Sequence, residues 1–369
     1  MDFAFTSDQQ LLKNSARAFL DEHCKPALVR ALMDDPRGES EAMWKEMAQL
    51  GWLGLALPES VGGAGLGMVE TAILLEELGR AACPTPYWPT LLAALAIEDA
   101  GTAEQQNRWL PSMASGGARG SVAFMEGELD WDPASITTRA ETKAAGATLS
   151  GVKQFVPWAT VADVLVVPAR STQDLALYLV DPRGKGVTIT PLTGMDLGTR
   201  WATVQLEGAE GAPLSRSADA GAEYGTLFRR AAVGAAAEML GAARRCLDMA
   251  VGYAKVREQF GQPIGAFQAI RHKCAEMLME VENAHSATYY AAWALDAGAE
   301  DAALAASVAK AYVSEASRKV CGDAIQVHGG IGFTWEYDLH IYFKRAKALE
   351  SMYGDADYHR RLITRHVVD

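Results

Sequence analysis

The sequence lacks several features that would point to particular classes of protein. Its 369 residues carry a net charge of -12, which disfavours nucleic-acid binding, because that needs a basic face to neutralise phosphates. No segment runs 18 residues without a charged or strongly polar side chain, so a membrane span is not expected. The N-terminal segment lacks the basic start and apolar core of a secretory signal, and the cytoplasm is therefore the expected location.

Cysteine is scarce and irregularly placed. The chain has neither a Cys-x-x-Cys pair nor the Cys/His spacing of a metal site; its five cysteines are Cys24, Cys83, Cys246, Cys274 and Cys321. In a helical pattern a cysteine behaves as a small apolar residue, so we expect free thiols and no bound metal. The glycine-rich loop at residues 58–67 also lacks the spacing of a P-loop or a dinucleotide-binding fingerprint.

The periodicity of apolar residues divides the chain into three parts, as its length allows. Residues 1–116 show helical spacing, beginning with a helix that Ser7 could cap and including a later helix that ends at Gly79. Residues 219–369 are helical again, and their alanine-rich stripes suit a four-helix bundle.

The middle part, residues 117–218, changes to a period typical of strands. Short β-rich runs separated by glycine, proline and aspartate predict a small β-barrel or sandwich; the runs are 148–153, 162–167, 175–180 and 187–190. Residues 208–222, rich in glycine, alanine and serine, are expected to connect this part to the final helices.

Two motifs near the C-terminus stand out. Residues 253–264 read Tyr-Ala-Lys-Val-Arg-Glu-Gln-Phe-Gly-Gln-Pro-Ile, followed by Phe-Gln-Ala-Ile at 267–270. Residues 326–339 contain Gln-Val-His-Gly-Gly-Ile-Gly-Phe and then Glu-Tyr-Asp-Leu, ahead of a basic helix at 344–347. Together with Pro-Glu-Ser-Val-Gly-Gly-Ala-Gly at 58–65, they resemble the signatures of acyl-CoA dehydrogenases.

The resemblance implies a mainly α fold with a middle β domain. An N-terminal helical domain would span residues 1–116, a small β-barrel residues 117–218, and a C-terminal four-helix bundle residues 219–369. It also implies FAD as cofactor, an acyl-CoA thioester as substrate and electron-transfer flavoprotein as the electron acceptor. Since members of this family assemble through the bundle, a homo- or hetero-oligomer, dimer or tetramer, is expected.

The resemblance further implies which residues contact FAD, and in this family such groups reach across to the cofactor of a neighbouring subunit. The candidates are Arg257, Phe260, Gln268, Gln326, Gly329 and Gly330. The arginine would meet the pyrophosphate, the phenylalanine and the first glutamine would line the cofactor, and the remaining three would admit its adenosine end.

Dehydrogenation also requires a carboxylate that removes the α-proton of the thioester, and here the sequence departs from the family. Many members place a glutamate after the tyrosine near the end of the last bundle helix, whereas Gly354 follows Tyr353 in this chain. Asp355 is a candidate base, although one residue along a helix turns a side chain by about 100°. The other position used in the family falls in residues 228–233, which hold no carboxylate, and Glu238 lies about two turns further on.

The middle part departs from the family as well. Relatives usually carry a threonine before Glu126 and a Trp-Ile-Thr triplet that contacts the flavin, where this chain has Met125 and Phe-Val-Pro at 155–157. Groups that hydrogen-bond a flavin are therefore missing, while the cofactor-reaching motifs are kept. This asymmetry resembles the base-lacking subunit of the heteromeric acyl-CoA dehydrogenases of steroid degradation.

Three functions fit these features. The chain is either one subunit of a heteromeric FAD-dependent acyl-CoA dehydrogenase, or a self-sufficient homo-oligomeric enzyme that uses Asp355 or another carboxylate, or a family member without dehydrogenase activity. The last would act as a structural partner or as a lyase or hydratase. Bound flavin on the purified chain would favour the second function, and a colourless protein the first or the third.

Overall fold

The computed structural model describes residues 4–127, 130–143, 146–171, 175–214 and 220–368. These residues form a mainly α fold with a middle sheet, as predicted. The helices are α1 Ser7–His23, α2 Pro26–Asp34, α3 Glu41–Gln49, α4 Met68–Arg80, α5 Tyr87–Ala100, α6 Ala103–Ala114, α7 Ala220–Val256, α8 Gln268–Asp296, α9 Ala302–His328, α10 Leu339–Ser351 and α11 Ala356–Val368. The strands are β1 Gly120–Val122, β2 Arg139–Lys143, β3 Gly146–Pro157, β4 Val164–Arg170, β5 Leu175–Val180, β6 Val187–Leu192, β7 Trp201–Pro213, β8 Glu258–Gln259 and β9 Gln262–Pro263.

The described residues group into two compact units, each built from segments distant in sequence. The first unit is drawn from Met1–Ala31, Met68–Cys83 and Ala232–Asp369, and the second from Leu32–Gly67 and Pro84–Ala231. The division into domains at 1–116, 117–218 and 219–369 stays a prediction. In the described part of the chain, no helix has both the length and the apolar character that crossing a bilayer requires.

The first helix begins at Ser7, one residue earlier than it would if Ser7 were its N-cap. Thr6 is the N-cap: its side-chain oxygen accepts a hydrogen bond from the Gln9 backbone N–H at 3.2 Å, and the Gln9 side chain accepts one from the Thr6 N–H at 2.9 Å. This reciprocal capping box satisfies two backbone donors at once. Ser7 is already the first helical residue, so its predicted role as the cap is wrong.

Glycines allow α4 and α7 of the first unit to approach each other closely. A Cβ placed on Gly79 would collide with the backbone carbonyl of Glu238 on α7, and one placed on Gly241 would collide with the carbonyl of Glu76 on α4. The helix that was predicted to end at Gly79 ends at Arg80. Gly79 therefore allows the backbones of the two helices to touch, and it does not act as a C-terminal cap.

The sheet of the second unit has the strand order β1-β4-β2-β3-β7-β5, with β6 paired to β7. A further pairing joins β4 to β5, so the path β4-β2-β3-β7-β5 closes on itself. The four predicted β-rich runs are found in β3, β4, β5 and β6. Buried residues of β3, β4, β5 and β7, which include Leu149, Val167 and Val204, form one hydrophobic core.

The longest strand of the sheet was missed by the sequence reasoning. Residues 208–213, predicted to begin a connection, continue β7 and pair with β3 and β5. Gly208 takes a left-handed φ of 66°, and the β3–β7 register shifts between Leu149 and Ser150. A glycine bulge of this kind lets a strand continue through a composition typical of loops. Residues 215–219 of the predicted connection lie outside the described residues.

Candidate functional site

The two C-terminal motifs meet in the first unit, where α7 and α9 end. The ring of Tyr253, in the last turns of α7, stacks on His328, the final residue of α9, with centroids 4.3 Å apart. His328 is fixed in turn, because its Nδ1 lies 2.7 Å from the Ala324 carbonyl and its Nε2 3.1 Å from the Tyr337 hydroxyl. The chain after α7 and the glycine turn after α9 are therefore neighbours.

Phe260 occupies a strained and exposed position. It lies with Gly261 in the two-residue loop between β8 and β9, and their φ angles are 53° and 78°. Such a hairpin turn requires left-handed backbone at both residues, which a bulky side chain rarely adopts. The Phe260 ring is nevertheless 92% exposed. A strained backbone that presents an aromatic ring to solvent makes Phe260 a candidate for contact with another molecule.

The predicted cofactor residues all reach the surface of the chain. Arg257, Phe260, Gln268, Gln326 and Gly330 are exposed, and Gly329 is half-buried. No side chain in the described ranges forms an ion pair with the Arg257 guanidinium. Gly329 has a φ of 63°, and the space beyond Gly330 is open, since a Cβ there would meet nothing within 4 Å. A free guanidinium, a bare aromatic ring, two amides and an open backbone fit the pyrophosphate, flat rings and ribose of FAD.

The turn at Tyr353 and Gly354, where the family's glutamate would stand, is held by buried polar side chains of the first unit. The fully buried Lys310 Nζ donates to the Gly354 carbonyl at 2.7 Å and to the Glu350 carbonyl at 3.0 Å. The His359 Nε2 donates to the Tyr353 carbonyl at 2.8 Å. Burial lowers the pKa of Lys310 to about 7, and burial together with the Lys310 charge lowers the pKa of His359 to about 3. The imidazole is therefore neutral at physiological pH.

Gly354 is a position that only glycine fits. Its φ is 88°, and a Cβ on it would lie 2.5 Å from Cδ1 of Tyr358 and 2.7 Å from Nε2 of His359. Contacts this short do not occur between real side chains. The geometry of the turn therefore excludes a side chain at this position, including the carboxylate that the family uses as its base.

Replacing Gly354 with glutamate is expected to lower the free energy of unfolding by about 1–3 kcal/mol, because the new side chain is both strained and crowded. It should also fail to start dehydrogenation by the chain alone. Denaturant unfolding and steady-state rates measure the two effects. Gly330→Ala is the matched control and should leave stability unchanged, since its surroundings are open. A Gly354→Glu variant as stable as wild type would contradict the closed turn.

Asp355, the candidate base, is exposed and has a local structural role. Its Oδ1 accepts a hydrogen bond from the Tyr358 backbone N–H at 2.8 Å, and its carbonyl accepts one from the His359 N–H at 3.1 Å. This is the geometry of a helix N-cap for α11. Capping accounts for an aspartate at this place without catalysis, and the predicted catalytic role stays a prediction.

Glu238 is the carboxylate of α7 that lies near the Tyr353 turn. Its side chain is half-buried, and its Oε2 lies 3.7 Å from Nη1 of the buried Arg345. Burial, and after it the charge of Glu238, raises the pKa of the Tyr353 hydroxyl. Sequence spacing alone placed Glu238 about two turns from the position that the family uses.

In the second unit, the segment that departs from the family's flavin-contacting pattern is rigidly held. Glu126 accepts hydrogen bonds from both the backbone and the hydroxyl groups of Thr137 and Thr138, and from Lys153 Nζ at 2.6 Å. Burial on its own raises the pKa of Glu126, but the Lys153 charge and these bonds outweigh it and lower the pKa to about 2. Two residues after Lys153, Phe155 has a φ of 47° and is exposed.

Sequence reasoning missed Lys310 and His359, which shape the turn at the family's base position. One signal could have found the lysine. Lys310 lies between Ala309 and Ala311 in the alanine-rich stripe of α9, and a lysine is almost never fully buried unless it has partners. Besides the Ser314 hydroxyl at 3.2 Å, its partners are the backbone carbonyls of Glu350 and Gly354, which leave no trace in a sequence pattern.

Comparison with known proteins agrees with this architecture. The profile of the acyl-CoA dehydrogenase N-terminal domain matches residues 6–117, and that of the C-terminal domain matches residues 223–368. Acyl-CoA dehydrogenase IpdE2 of Mycolicibacterium smegmatis is 33% identical over 350 residues, covering 95% of each chain.

Two solved structures resemble the whole chain. The ChsE4-ChsE5 complex from Mycobacterium tuberculosis has a TM-score of 0.93 at 30% identity and covers 100% of this chain and 99% of its own. A variant of the steroid ACAD Tcur3481-Tcur3483 has a TM-score of 0.91 at 34% identity, with 97% of each chain covered. The matched domains, the identity over nearly the full length and the shared fold show that this chain belongs to the acyl-CoA dehydrogenase family, FAD-dependent oxidoreductases that act on CH–CH bonds.

Proposed function

We propose that this chain is one subunit of a two-component acyl-CoA dehydrogenase that acts on a bulky acyl-CoA thioester. The subunit contributes the surface around Arg257 and Phe260 to an FAD site completed by its partner, and the partner brings the catalytic base. An electron-transfer flavoprotein is the proposed electron acceptor.

The observation that carries this proposal is a contrast within the first unit. The turn at Gly354 is closed to any side chain by Tyr358 and His359, so the usual carboxylate has no room there. At Arg257 and Phe260, by contrast, the side chains are exposed. A polypeptide with this combination offers groups to a cofactor while lacking its own means of proton abstraction.

The names of the relatives support a heteromer and a large substrate. The ChsE4-ChsE5 structure is a complex of two named components, and Tcur3481-Tcur3483 is described as a steroid ACAD. We extend both properties to this chain, whose similarity to each covers nearly its full length. The proposed substrate class is accordingly a polycyclic acyl-CoA.

In the proposed complex each group has one task. Arg257 binds the pyrophosphate of FAD through charge-assisted hydrogen bonds, and Phe260 covers part of a flat ring. The open backbone at Gly330 leaves room for the nucleotide. When bound, FAD supplies the hydride acceptor that no amino-acid side chain can provide.

A second candidate function, a self-sufficient enzyme that uses Asp355, is favoured by the exposure of that carboxylate. The substitution Asp355→Asn separates the two. We expect turnover of the assembled complex to stay within a few-fold of wild type, because asparagine still caps α11 and the base belongs to the partner. If Asp355 were the base, turnover would fall by about 10²–10⁴-fold.

Steady-state rates with straight-chain and steroid acyl-CoA thioesters measure this effect for the chain alone and with its partner. Asp357→Asn, at an exposed carboxylate in the first turn of the same helix, is the matched control and should behave like Asp355→Asn. A flavin-loaded lone chain that turns over, and that loses activity only on Asp355→Asn, would show that the proposal is wrong.

The visible spectrum of the purified chain gives a first test. We expect the lone chain to bind little flavin, and the complex to be yellow with bound flavin after the partner is added. A lone chain that binds FAD stoichiometrically would favour the self-sufficient enzyme.

A further inference from the structure

His328, the last residue of α9, contacts both of the C-terminal motifs. On one side its ring stacks on that of Tyr253, with centroids 4.3 Å apart and the two planes 25° from parallel. On another side its Nε2 lies 3.1 Å from the hydroxyl of Tyr337. The residue is buried, with 4% of its surface exposed. One imidazole therefore lies between the segment that carries Arg257 and the glycine segment 329–332.

The hydrogen bonds of this imidazole fix which protons it carries. A backbone carbonyl can only accept a hydrogen bond, so the Nδ1 of His328, 2.7 Å from the Ala324 carbonyl, carries a hydrogen. Burial lowers the pKa of His328, and the bond to Ala324 opposes this effect without outweighing it. The ring is therefore neutral at neutral pH, and its Nε2 accepts from the Tyr337 hydroxyl. One nitrogen bonds to α9 itself and the other to the segment before α10.

The glycine segment folds tightly against the same side chain. Gly329 follows His328 with a positive φ of 63°. Three residues further on, a Cβ placed on Gly332 would lie 3.0 Å from the Cβ of His328 and 2.7 Å from the Ile325 carbonyl. A larger residue would therefore force the backbone away from α9. The chain that follows α9 is held against His328 in two places, at Gly332 and at Tyr337.

The stacked tyrosine connects the imidazole to Arg257. Tyr253 lies one helical turn before Arg257, whose backbone N–H donates to the Tyr253 carbonyl at 2.8 Å. The Arg257 carbonyl accepts in turn from the Ile264 N–H at 2.7 Å, which joins the far side of the β8–β9 hairpin to the end of α7. A contact that fixes Tyr253 therefore also fixes the backbone from which the guanidinium extends.

We propose that His328 is a positioning residue of the FAD site, which holds the Arg257 segment and the turn at 329–330 in place before the cofactor binds. Both of its nitrogens bond to protein groups and Tyr253 covers one face of its ring, so it acts through its neighbours and not on the ligand. A site whose parts are already in place binds more tightly, because the ligand has fewer groups to order. This inference rests on the proposed function, which assigns the two segments to FAD.

The FAD affinity of the assembled complex tests this role. His328→Leu removes the stack and both hydrogen bonds, whereas Tyr337→Phe removes only the bond to Nε2. We expect the first variant to bind FAD about three- to thirty-fold more weakly and the second to lose less, because loosened segments must be ordered on binding. Fluorescence titration measures both. His285→Leu is the control and should leave FAD affinity unchanged, since that imidazole also packs on aromatic rings, those of Phe5 and Tyr289, but belongs to neither motif.

A double-mutant cycle distinguishes positioning from a general loss of stability. A residue that only stabilises the fold leaves unchanged the factor by which Arg257→Ala weakens FAD binding. A positioning residue reduces that factor, because a guanidinium that is no longer held in place contributes less. We expect Arg257→Ala to weaken binding about ten- to hundred-fold in wild type, and by a factor about three-fold smaller, or less, in the His328→Leu background. Melting curves of the same four proteins report stability separately.

The results that would overturn the inference differ in meaning. If the folded His328→Leu complex binds FAD as tightly as wild type, or if its effect is strictly additive with that of Arg257→Ala, the imidazole serves only the fold, while the proposed function stands. If Arg257→Ala leaves FAD affinity unchanged in the wild-type background, the proposed function fails and the positioning role fails with it. Should His328→Leu not fold, Tyr337→Phe takes its place in the cycle, and additivity there contradicts the inference in the same way.

Discussion

Replacing Glu76 with glutamine is expected to lower the free energy of unfolding by about 3–5 kcal/mol. Glu76 is fully buried in the first unit. Its two oxygens accept from Lys13 Nζ at 2.8 Å, Arg244 Nε at 3.1 Å and the Tyr289 hydroxyl at 2.6 Å. Removing the carboxylate charge would leave Arg244 with only the exposed Glu282, and Lys13 with only the more distant Glu77, 4.0 Å away. Denaturant unfolding, followed by circular dichroism, measures the loss.

The same network predicts how stability depends on pH. Burial on its own raises the pKa of Glu76, but the charges of Lys13 and Arg244 and the hydrogen bonds from Lys13 and Tyr289 outweigh it, so the pKa is lowered from 4.5. A carboxyl whose pKa falls on folding stabilises the native state above its unfolded value. That contribution is lost as the pH falls through the lower folded value. Glu76→Gln should therefore weaken the acid dependence of unfolding.

The control for this prediction shares one of the cations. Arg244 also contacts Glu282, with Nη1 and Oε1 3.1 Å apart, but the Glu282 side chain is 54% exposed. Surface ion pairs of this kind contribute about 0–1 kcal/mol, so Glu282→Gln should be nearly neutral. If both variants lost the same small amount, the buried network would have no special role in stability.

Replacing Arg257 with alanine is expected to weaken FAD binding by the assembled complex about ten- to hundred-fold, with little effect on folding. A charge-assisted contact to the pyrophosphate contributes about 1.5–3 kcal/mol, which corresponds to that range. The fold should tolerate the change because the guanidinium has no ion-pair partner among the described residues. Fluorescence titration with FAD and a melting curve give the two quantities.

Two further variants accompany Arg257→Ala, one as a control and one as a second test of the same site. Arg139→Ala removes an exposed arginine on β2 and should leave FAD affinity unchanged. Gly330→Val should block the cofactor by contact, because its β-branched side chain fills the space left open there, while stability is maintained. Gly330→Val with normal FAD binding and a lower melting temperature would indicate that the glycine serves only the turn. Unchanged FAD affinity in Arg257→Ala would remove Arg257 from the site.

The predictions for Glu76 and Arg257 rest on residues that the sequence alone reveals to different degrees. Arg257 and Phe260 stand in a motif of consecutive residues, so the sequence itself displays the motif. The partners of Glu76 are not displayed in this way. Arg244 is 168 positions from Glu76 and Tyr289 is 213, and no local period connects such residues. Only the folded chain shows that the carboxylate is buried and fully paired.

The sequence by itself determined the class of fold, the order of helical and β regions and the family. These properties follow from the period of apolar residues and from short motifs, which neighbouring residues establish together. The run at residues 175–180 predicted β5. FAD as the cofactor followed only from the resemblance of the same motifs to those of the family.

Tertiary structure alone decided what those regions contribute to a site. The sequence shows that Gly354 replaces a glutamate, but the closure of the position depends on Tyr358, His359 and a left-handed backbone. Lys310, which holds this turn, lies 44 positions away and binds a carbonyl. Space around an atom and the pairing of a buried charge depend on residues distant in sequence, and a local pattern carries no information about them.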